Sequence, residues 1–315
     1  MSRIPLLRLP DLVLEEVFKE LDPFKLIEFA KCSKRLHPMI RRIGKKFELS
    51  VDLYCKQINI YTPDGRQWPV YFYSLESEQE NAKFVKTKCP TRDICIHLFE
   101  FLLYFGCYKI RHFETCPETI WNTSPIVKLL VYFKCTVRNV TFRMYKTEGD
   151  VFKEILSSLK VTDMLSIGAA VEFPPDFEFK FVFYPKFLYI QNSHWIKMDQ
   201  VYKAANRCLK ISLKKSQLTN EHLDRFLQRW QAGKLRKMKM FYFTVQGKQI
   251  NKKSTIFDME IPIKSEDDKC VHKRDHEGYQ ETVRKGVVFK NVDGQRAVIH
   301  FDPPTSSAFS FMLLD

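Results

Sequence analysis

The amino end carries apolar residues at the spacing of short amphipathic helices. Four of them follow at i, i+3, i+4 and i+7 and so share one face over two turns: Leu14, Val17, Phe18 and Leu21. Proline fits the first turn of a helix and an acid suits its positive end, so Pro10 and Asp11 mark the predicted start. Asp22 and Pro23 end this helix and begin a second one, with Asp22 as the N-cap.

The apolar face continues at Leu26, and Ser33 is predicted to cap a third helix that runs to about Ile43. Three such short helices together bury too little surface to be stable alone. We therefore expect some of their apolar groups to be left for a partner.

The segment after these helices has the pattern of a β-hairpin. Runs of β-favouring residues at 56–61 and 68–73 flank Pro63, Asp64 and Gly65, which supply the turn. The next segment, 76–88, is charged and poor in apolar residues, so a surface loop is predicted there.

From residue 91 onward, strand-like and helix-like runs alternate. The strand candidates are 108–113, 137–142, 164–167, 187–190, 208–213 and 239–245. A helix with an apolar face follows the fifth candidate; it carries Leu223, Phe226, Leu227 and Trp230. Strand–helix–strand units in series favour stacked β/α repeats. The predicted fold class is therefore α+β, with three helices before an irregular, leucine-rich-repeat-like β/α domain, and the alternative is a single open α/β sheet domain.

Composition and cysteine usage favour a soluble intracellular protein. The nine cysteines among 315 residues are odd in number and irregular in spacing, which does not suit a disulfide framework. Asp11 interrupts the amino end before an apolar run typical of a signal peptide is complete. The most apolar run, 98–105, is far shorter than the ~20 residues needed to span a bilayer. We expect a location in the cytoplasm, the nucleus or both, without membrane insertion.

The positive charge is concentrated in one segment. The whole chain carries +14, and residues 203–253 contain 14 Lys or Arg against two acids, which gives +12 for that segment alone. Such a segment attracts acidic proteins or nucleic acid. The interleaved aromatics Phe241, Tyr242 and Phe243 fall in a strand-like run without an RNA-binding signature, so we predict that they are core residues. An acidic protein target is favoured over nucleic acid.

The sequence offers no recognisable constellation for catalysis. A nucleophile elbow, a glycine-rich phosphate loop and a His-Glu-x-x-His helix are all absent from it. Cys270, His272 and His276 have the nearest arrangement to a zinc site, but they lack a fourth ligand at suitable spacing and stand in a charged segment. We interpret them as part of a solvated loop. Cys95 and His97 fall on a predicted apolar helix and are interpreted as core residues. We expect no catalytic residue, no cofactor and no metal.

The amino-terminal stretch closely resembles the F-box, the helical module that docks on the Skp adaptor of cullin-type ubiquitin ligases. The residues that carry this resemblance are Leu9-Pro10-Asp11, Leu14, Val17-Phe18, Leu21-Asp22-Pro23, Leu26 and Cys32-Ser33-Lys34-Arg35. The resemblance implies that the adaptor is bound by Leu9, Pro10, Leu14, Val17, Phe18, Leu21 and Leu26. An alternative role for Leu14 and Leu26 is to hold the three helices together.

A second resemblance covers the later part of the chain. It rests on Asn192-Ser193-x-Trp195, Leu218-Thr219-Asn220-Glu221-x-Leu223, Phe226-Leu227-x-x-Trp230, Gly233, Tyr279 and the predicted hairpin 286–301 around Asp293-Gly294. These residues resemble the F-box-associated domain of the second type, from a family greatly expanded in nematodes. The implied organisation is a docking module at 1–46 and a target-binding β/α domain at 47–315.

Together the two resemblances imply a non-catalytic substrate adaptor of a Skp, cullin and F-box ubiquitin ligase. Its partners would be the Skp-type adaptor, through it the cullin, and a protein target. Two other hypotheses stay open. One is a basic binding module whose helices simply cap the β/α domain and which takes no part in a ligase. The other is an enzyme, which predicts a deep pocket lined by convergent polar groups.

Overall fold

A computed structural model describes residues 8–73, 83–115, 120–143, 149–235, 238–240, 242–266, 270–274, 280–302 and 308–314. Among the residues discussed above, Phe241, His276 and Tyr279 lie outside these ranges. The chain forms two compact units, Met1–Met144 with Ser158–Lys160 and Tyr145–Ser157 with Val161–Asp315.

The first unit begins with the three predicted helices, α1 at Asp11–Lys19, α2 at Pro23–Cys32 and α3 at Leu36–Gly44. Asp22 caps α2 as predicted, because its Oδ1 accepts a hydrogen bond of 2.7 Å from the backbone N–H of Phe24. The predicted cap at Ser33 is wrong. The N-cap of α3 is Arg35, without a side-chain cap, and Ser33 contributes only its carbonyl, which accepts from the N–H of Leu36 at 3.1 Å.

Six neighbouring strands and two helices complete the first unit. The strands are β1 Glu48–Asp52, β2 Gln57–Tyr61, β3 Gln67–Tyr73, β4 Lys83–Lys86, β5 Lys109–Glu114 and β6 Thr136–Phe142, and the helices are α4 Pro90–Phe105 and α5 Ile120–Tyr132. In space the strands run β6-β5-β1-β2-β3-β4. The predicted hairpin is confirmed as the antiparallel pair β2–β3, whereas β1, β5 and β6 are parallel.

One prediction is wrong in this unit, and one helix was not predicted. The segment 76–88 is not all loop, because it contains β4, which pairs in parallel with β3. The four residues of β4 are too few to show a strand pattern in the sequence. Residues 76–82 lie outside the described part of the chain. Helix α5 was not predicted because it contains Pro125, which ordinarily breaks a helical pattern.

The second unit holds the later strands and helices. They are α6 Gly149–Ser158, β7 Val161–Ile167, β8 Phe187–Ile190, α7 Met198–Ala205, β9 Lys210–Leu213, α8 Asn220–Gln231, β10 Tyr242–Val245, β11 Thr255–Ile256, β12 Met259–Glu260, β13 Cys270–Arg274, β14 Gln280–Arg284, β15 Val287–Lys290, β16 Arg296–His300 and β17 Phe309–Leu313. The strands β7, β8, β9 and β10 lie side by side in chain order, and each pairing in this run is parallel.

The sheet of the second unit ends in antiparallel strands. Next to β10 comes β17, then β16 and β15, and all three pairings are antiparallel. The pair β15–β16 confirms the hairpin predicted around Asp293-Gly294. The chain is thus an α+β protein, in which three helices precede a mixed domain of sheet and helix. Parallel neighbours in chain order fit the predicted β/α repeats, and the antiparallel strand β17 between β10 and β16 was not predicted.

In the described part of the chain, no helix combines the length and the apolar character that crossing a membrane requires.

Candidate docking and target-binding sites

Helix α1 carries large apolar side chains that face solvent. The exposed fractions of Leu12 and Val13 are 79% and 45%. Val17 is four residues from Val13, so the two lie on the same side of α1, and Val17 is partly exposed. Just before the helix Pro10 is exposed and Leu9 is partly exposed. A continuous group of exposed apolar side chains of this kind is typical of a protein contact surface.

Three of the residues predicted to bind the adaptor are instead buried inside the first unit. Leu14, Phe18 and Leu26 have almost no accessible surface, and the ring of Phe18 stacks on that of Phe29 with 5.9 Å between centroids. In this conformation they hold the helices together and offer no surface to a partner. For Leu14 and Leu26 this agrees with the alternative role considered above. The stripe of apolar residues faces the core because burial of that face stabilises the module.

Leu12 and Val13 are not among the contact residues predicted from the sequence. Leu12 stands on the side of the helix away from the i, i+3, i+4, i+7 stripe, where polar residues are ordinarily found, and Val13 stands at the edge of the stripe beside Val17. A leucine and a valine at such positions are themselves a signal, because they cannot be covered by the same neighbours as the stripe.

Helices α2 and α3 pack against α4 of the same unit. A Cβ at Gly44, the last residue of α3, would overlap the Cβ of Phe105 in α4, so only glycine permits this approach. The ring of Phe105 also meets Phe47 edge-on at 5.2 Å, and Phe24 of α2 meets Phe101 of α4 at 5.8 Å. Helices α2 and α3 therefore share a core with α4.

A cavity of about 300 Å³ lies where the end of α1 meets the turn between β2 and β3. Its lining includes Leu21, Ile43 and Trp68, so the predicted contact residue Leu21 is placed at its edge. Arg66 donates a hydrogen bond of 2.9 Å from Nη2 to the carbonyl of Lys19 at the negative end of α1. The turn thereby holds the carboxyl end of the docking helix.

The carboxylate of Asp64 stabilises the turn between β2 and β3 by accepting hydrogen bonds from Thr62 and Arg66. Hydrogen bonds from Thr62 and then from Arg66 lower the pKa of Asp64 to about 2, so the carboxylate is charged at neutral pH. The hydrogen bond from Arg66 to Asp64 holds the guanidinium where it also reaches the carbonyl of Lys19 in α1.

The second unit contains a larger cavity, of about 500 Å³. Its lining comes from four loops, which follow β7, β8, β9 and β10: Phe173 and Pro175, Asn192 and His194, Lys215, Ser216 and Gln217, and Lys248. Because β7 to β10 are parallel neighbours, their carboxyl ends share one edge of the sheet, and these loops meet there. We refer to it below as the loop cavity.

The motif Asn192-Ser193-x-Trp195 ties these loops together. Asn192 donates its side-chain amide to the carbonyls of Ala169 at 3.0 Å and Val171 at 2.6 Å, in the loop after β7. Ser193 donates its hydroxyl to the carbonyl of Lys214 at 2.8 Å, in the loop after β9. Trp195 closes the turn through Nε1, which donates to the carbonyl of Asn192 at 3.1 Å. The conformation of the loop after β8 thus fixes both of its neighbours.

The loops after β9 and β10 are also held in contact. The N–H of Ser216 donates to the carbonyl of Gln246 at 3.0 Å, and a Cβ at Gly247 would overlap the carbonyl of Ser216. Lys215 has a φ of 51°, in the left-handed region. These contacts fix the backbone that carries Lys215 and Lys248 at the edge of the loop cavity.

The candidate metal ligands are not brought together in the described part of the chain. Cys270 and His272 lie on β13, where Nδ1 of His272 is 2.7 Å from Oγ1 of Thr282, and His276 lies outside the described residues. No group of three or more His, Cys, Asp or Glu suited to a metal was found among the residues that the structure describes.

Buried thiols are not activated as nucleophiles. Burial raises the pKa of Cys107, Cys135 and Cys208 to about 12 in each case, so these thiols stay protonated at neutral pH. Cys95, on α4 with His97, also has a raised pKa because of burial.

A solvent-facing apolar group and a loop-lined cavity are features of a protein that binds other molecules. The comparisons with known families agree with this class. Residues 6–48 match the F-box domain, and residues 176–243 match the family described as F-box associated. The chain is therefore an F-box protein with an F-box-associated domain, which confirms both resemblances.

A similar protein is the Skn-1 dependent zygotic transcript 15 protein of Caenorhabditis elegans. It is 20% identical over 267 residues, and the match covers 71% of this chain and 74% of the relative. The comparison with solved structures gave no match.

Proposed function

We propose that this protein recruits targets to a Skp, cullin and F-box ubiquitin ligase. The docking module, residues 1–46, binds the Skp-type adaptor and through it the cullin, and the domain at 47–315 binds a protein target. The chain contributes no chemistry of its own. The ligase gains from proximity, because a target held near the ubiquitin-charged enzyme reacts as if its concentration were much higher.

The observation that supports this proposal is the exposure of Leu12 and Val13 within the segment that matches the F-box. A few desolvated apolar residues dominate most helical interfaces. We assign the adaptor contact to the accessible residues Leu9, Pro10, Leu12, Val13, Val17 and Leu21. Leu14, Phe18 and Leu26 support these contacts from the core.

Capture of a purified Skp-type adaptor by the full-length chain tests the proposal. The double variant Leu12→Glu/Val13→Glu is expected to lose at least tenfold in affinity, because each charge would be desolvated in the interface. Val288→Glu/Val292→Glu is the matched control, since these valines of the second unit are 49% and 69% exposed. The control is expected to bind like the wild type. Equal capture of all three proteins, or capture of none, contradicts the docking assignment.

A basic binding module outside any ligase is the second candidate, and the +12 charge of residues 203–253 favours it. It predicts that the wild type fails to capture the adaptor while its binding to an acidic protein weakens steeply with salt.

A further inference from the structure

We infer that the loop cavity of the second unit binds a peptide segment of the target through one anionic group, a carboxylate or a phosphate. This inference rests on the proposed function, because it names the part of the target that the F-box-associated domain takes. Four features of the cavity favour such a ligand: its position in the sheet, its charge, the rigidity of its walls and its size.

The position is that of a ligand site. In open sheets of parallel strands, ligands bind outside the carboxyl ends of the strands. The loop cavity lies at that edge and is lined by the loops after four successive strands, β7 to β10. Its volume of about 500 Å³ falls within the ~300–1,000 Å³ typical of ligand sites.

The charge of the lining selects an anion. The exposed residues Lys215 and Lys248 line the cavity together with His194, and no Asp or Glu is among the described residues that line it. Glu172 and Asp176 belong to the loop after β7, but neither lines the cavity. An ammonium group in a concave site attracts a carboxylate or phosphate more strongly than one on a flat surface, because less water screens it.

Other lysines of this unit are already neutralised, whereas those of the cavity are not. Lys197 pairs with Glu178 at 2.5 Å, and Lys210 pairs with Glu281. Within the ranges that the structure describes, neither Lys215 nor Lys248 forms an ion pair. Their charges are therefore available to a ligand.

The walls of the cavity are preorganised. Both side-chain hydrogen bonds of Asn192 are used within the protein, and Phe173 stacks on Phe177 at 4.4 Å and meets Trp195 edge-on at 5.6 Å. A binding site that is already ordered loses little entropy when the ligand enters. The exposed apolar surface of Pro175 can take the aliphatic part of the residue that carries the anion.

The same features favour a peptide over nucleic acid. Binding of single strands requires exposed aromatic rings on which bases stack, along an extended basic groove. Around this cavity Phe173 and Trp195 are buried in their own cluster, and Phe243 of β10 is fully buried in the sheet. Two lysines at one open, concave site suit a single anionic group, with the peptide chain leading in and out.

The test measures binding of labelled peptide pools by the full-length protein, followed by fluorescence anisotropy. Three pools of nine-residue peptides carry phosphoserine, glutamate or serine at the centre, with randomised flanks. Inorganic phosphate and a nine-nucleotide uridine RNA are the other probes. The variant is Lys215→Gln/Lys248→Gln, and the matched control is Lys252→Gln/Lys253→Gln, which removes the same charge from exposed residues of the same basic segment.

The wild type is expected to bind the phosphoserine pool, the glutamate pool or both at least tenfold more tightly than the serine pool. The cavity variant is expected to lose this preference, and the control to keep it within twofold. Preference for both acidic pools means that a carboxylate suffices, and preference for the phosphoserine pool alone means that phosphate is required. Both results support the inference.

Several results would overturn it. These are no preference among the pools, equal loss in the cavity variant and the control, inorganic phosphate bound as tightly as the phosphoserine pool, and RNA bound in place of peptide. Equal thermal midpoints of the three proteins show that the variants are folded. Adaptor capture is measured on the same preparations, so a failure of the peptide site and a failure of the docking proposal give different results.

Discussion

Gly44 at the end of α3 lies directly against Phe105 at the end of α4, so closely that any side chain at position 44 would overlap the Cβ of Phe105. Helices α2, α3 and α4 are thus one folded body within the first unit. Removing residues 1–45 would expose the apolar surface of α4, so point substitutions on the exposed side of α1 test docking more cleanly than a deletion.

Substitution of Gly44→Ala is expected to destabilise the protein by about 1–3 kcal/mol, the usual cost of overpacking a core contact. Urea unfolding followed by circular dichroism measures the change. Lys45→Ala, at the exposed next residue, serves as the control and is expected to stay within about 0.5 kcal/mol of the wild type. A Gly44→Ala protein as stable as the control would show that α3 and α4 do not pack as described.

Buried and exposed residues of α1 are expected to separate stability from docking. Phe18→Ala should cost about 3–5 kcal/mol, because it leaves a cavity among the helices. Leu12→Ala should change stability by less than about 0.5 kcal/mol while it weakens capture of the Skp-type adaptor. Chemical unfolding and adaptor capture, measured on both variants, check the separation. A large loss of stability in Leu12→Ala would argue that this side chain is covered within the protein.

The amide of Asn192 is expected to be structural. Asn192→Ala leaves the carbonyls of Ala169 and Val171 without their donor, which should cost about 1–3 kcal/mol. Hydrogen exchange of the loop after β7 should increase in the same variant. Asn206→Ala, at an exposed position after α7, is the control. Unchanged exchange in the loop after β7 would contradict the role given to Asn192.

Stability is expected to fall as the pH drops below about 6.5, the usual pKa of histidine. Burial lowers the pKa of His300, against the opposing effect of the Asp302 carboxylate and with a further lowering by Lys264. The folded state therefore holds a proton on His300 less readily than the unfolded state does. The contribution of this residue is present above the unfolded pKa and is lost as the pH falls through the lower folded pKa.

Urea midpoints at pH 8 and pH 5.5 test this expectation. The drop in stability between the two should be smaller in His300→Gln than in the wild type. His272→Gln, at an exposed histidine, should behave like the wild type. An equal drop in all three proteins would assign the pH dependence to other groups.

Local patterns predicted the elements well where one signal dominated. Asp22 and Pro23 gave the start of α2 because capping depends on adjacent residues, and Asp64 with Gly65 gave the β2–β3 hairpin for the same reason. Two of the misses have local causes as well. Pro125 stands inside α5, and the five residues of β17 are all buried, so they show no alternation.

The sites were less predictable because they depend on which helices, strands and loops contact one another in the folded chain. The apolar stripe of α1 shows that Leu14 and Phe18 face one way, but not that the same protein covers them. The loop cavity joins residues from Phe173 to Lys248, which only the sheet brings together. Asn192 belongs to the family resemblance seen in the sequence. Its hydrogen bonds hold the loop after β7, which forms part of the cavity lining, and only the structure shows this role.

The shared core of α2, α3 and α4 has a consequence for the amount of protein that persists in a cell. A ligand that binds only the folded form shifts the folding equilibrium towards it. Because α2 and α3 share a core with α4, an adaptor bound to α1 would protect the strands of the first unit as well. Protein molecules bound to an adaptor would then persist longer than unbound ones. Assembly into the ligase would thus favour the correctly folded form of this protein.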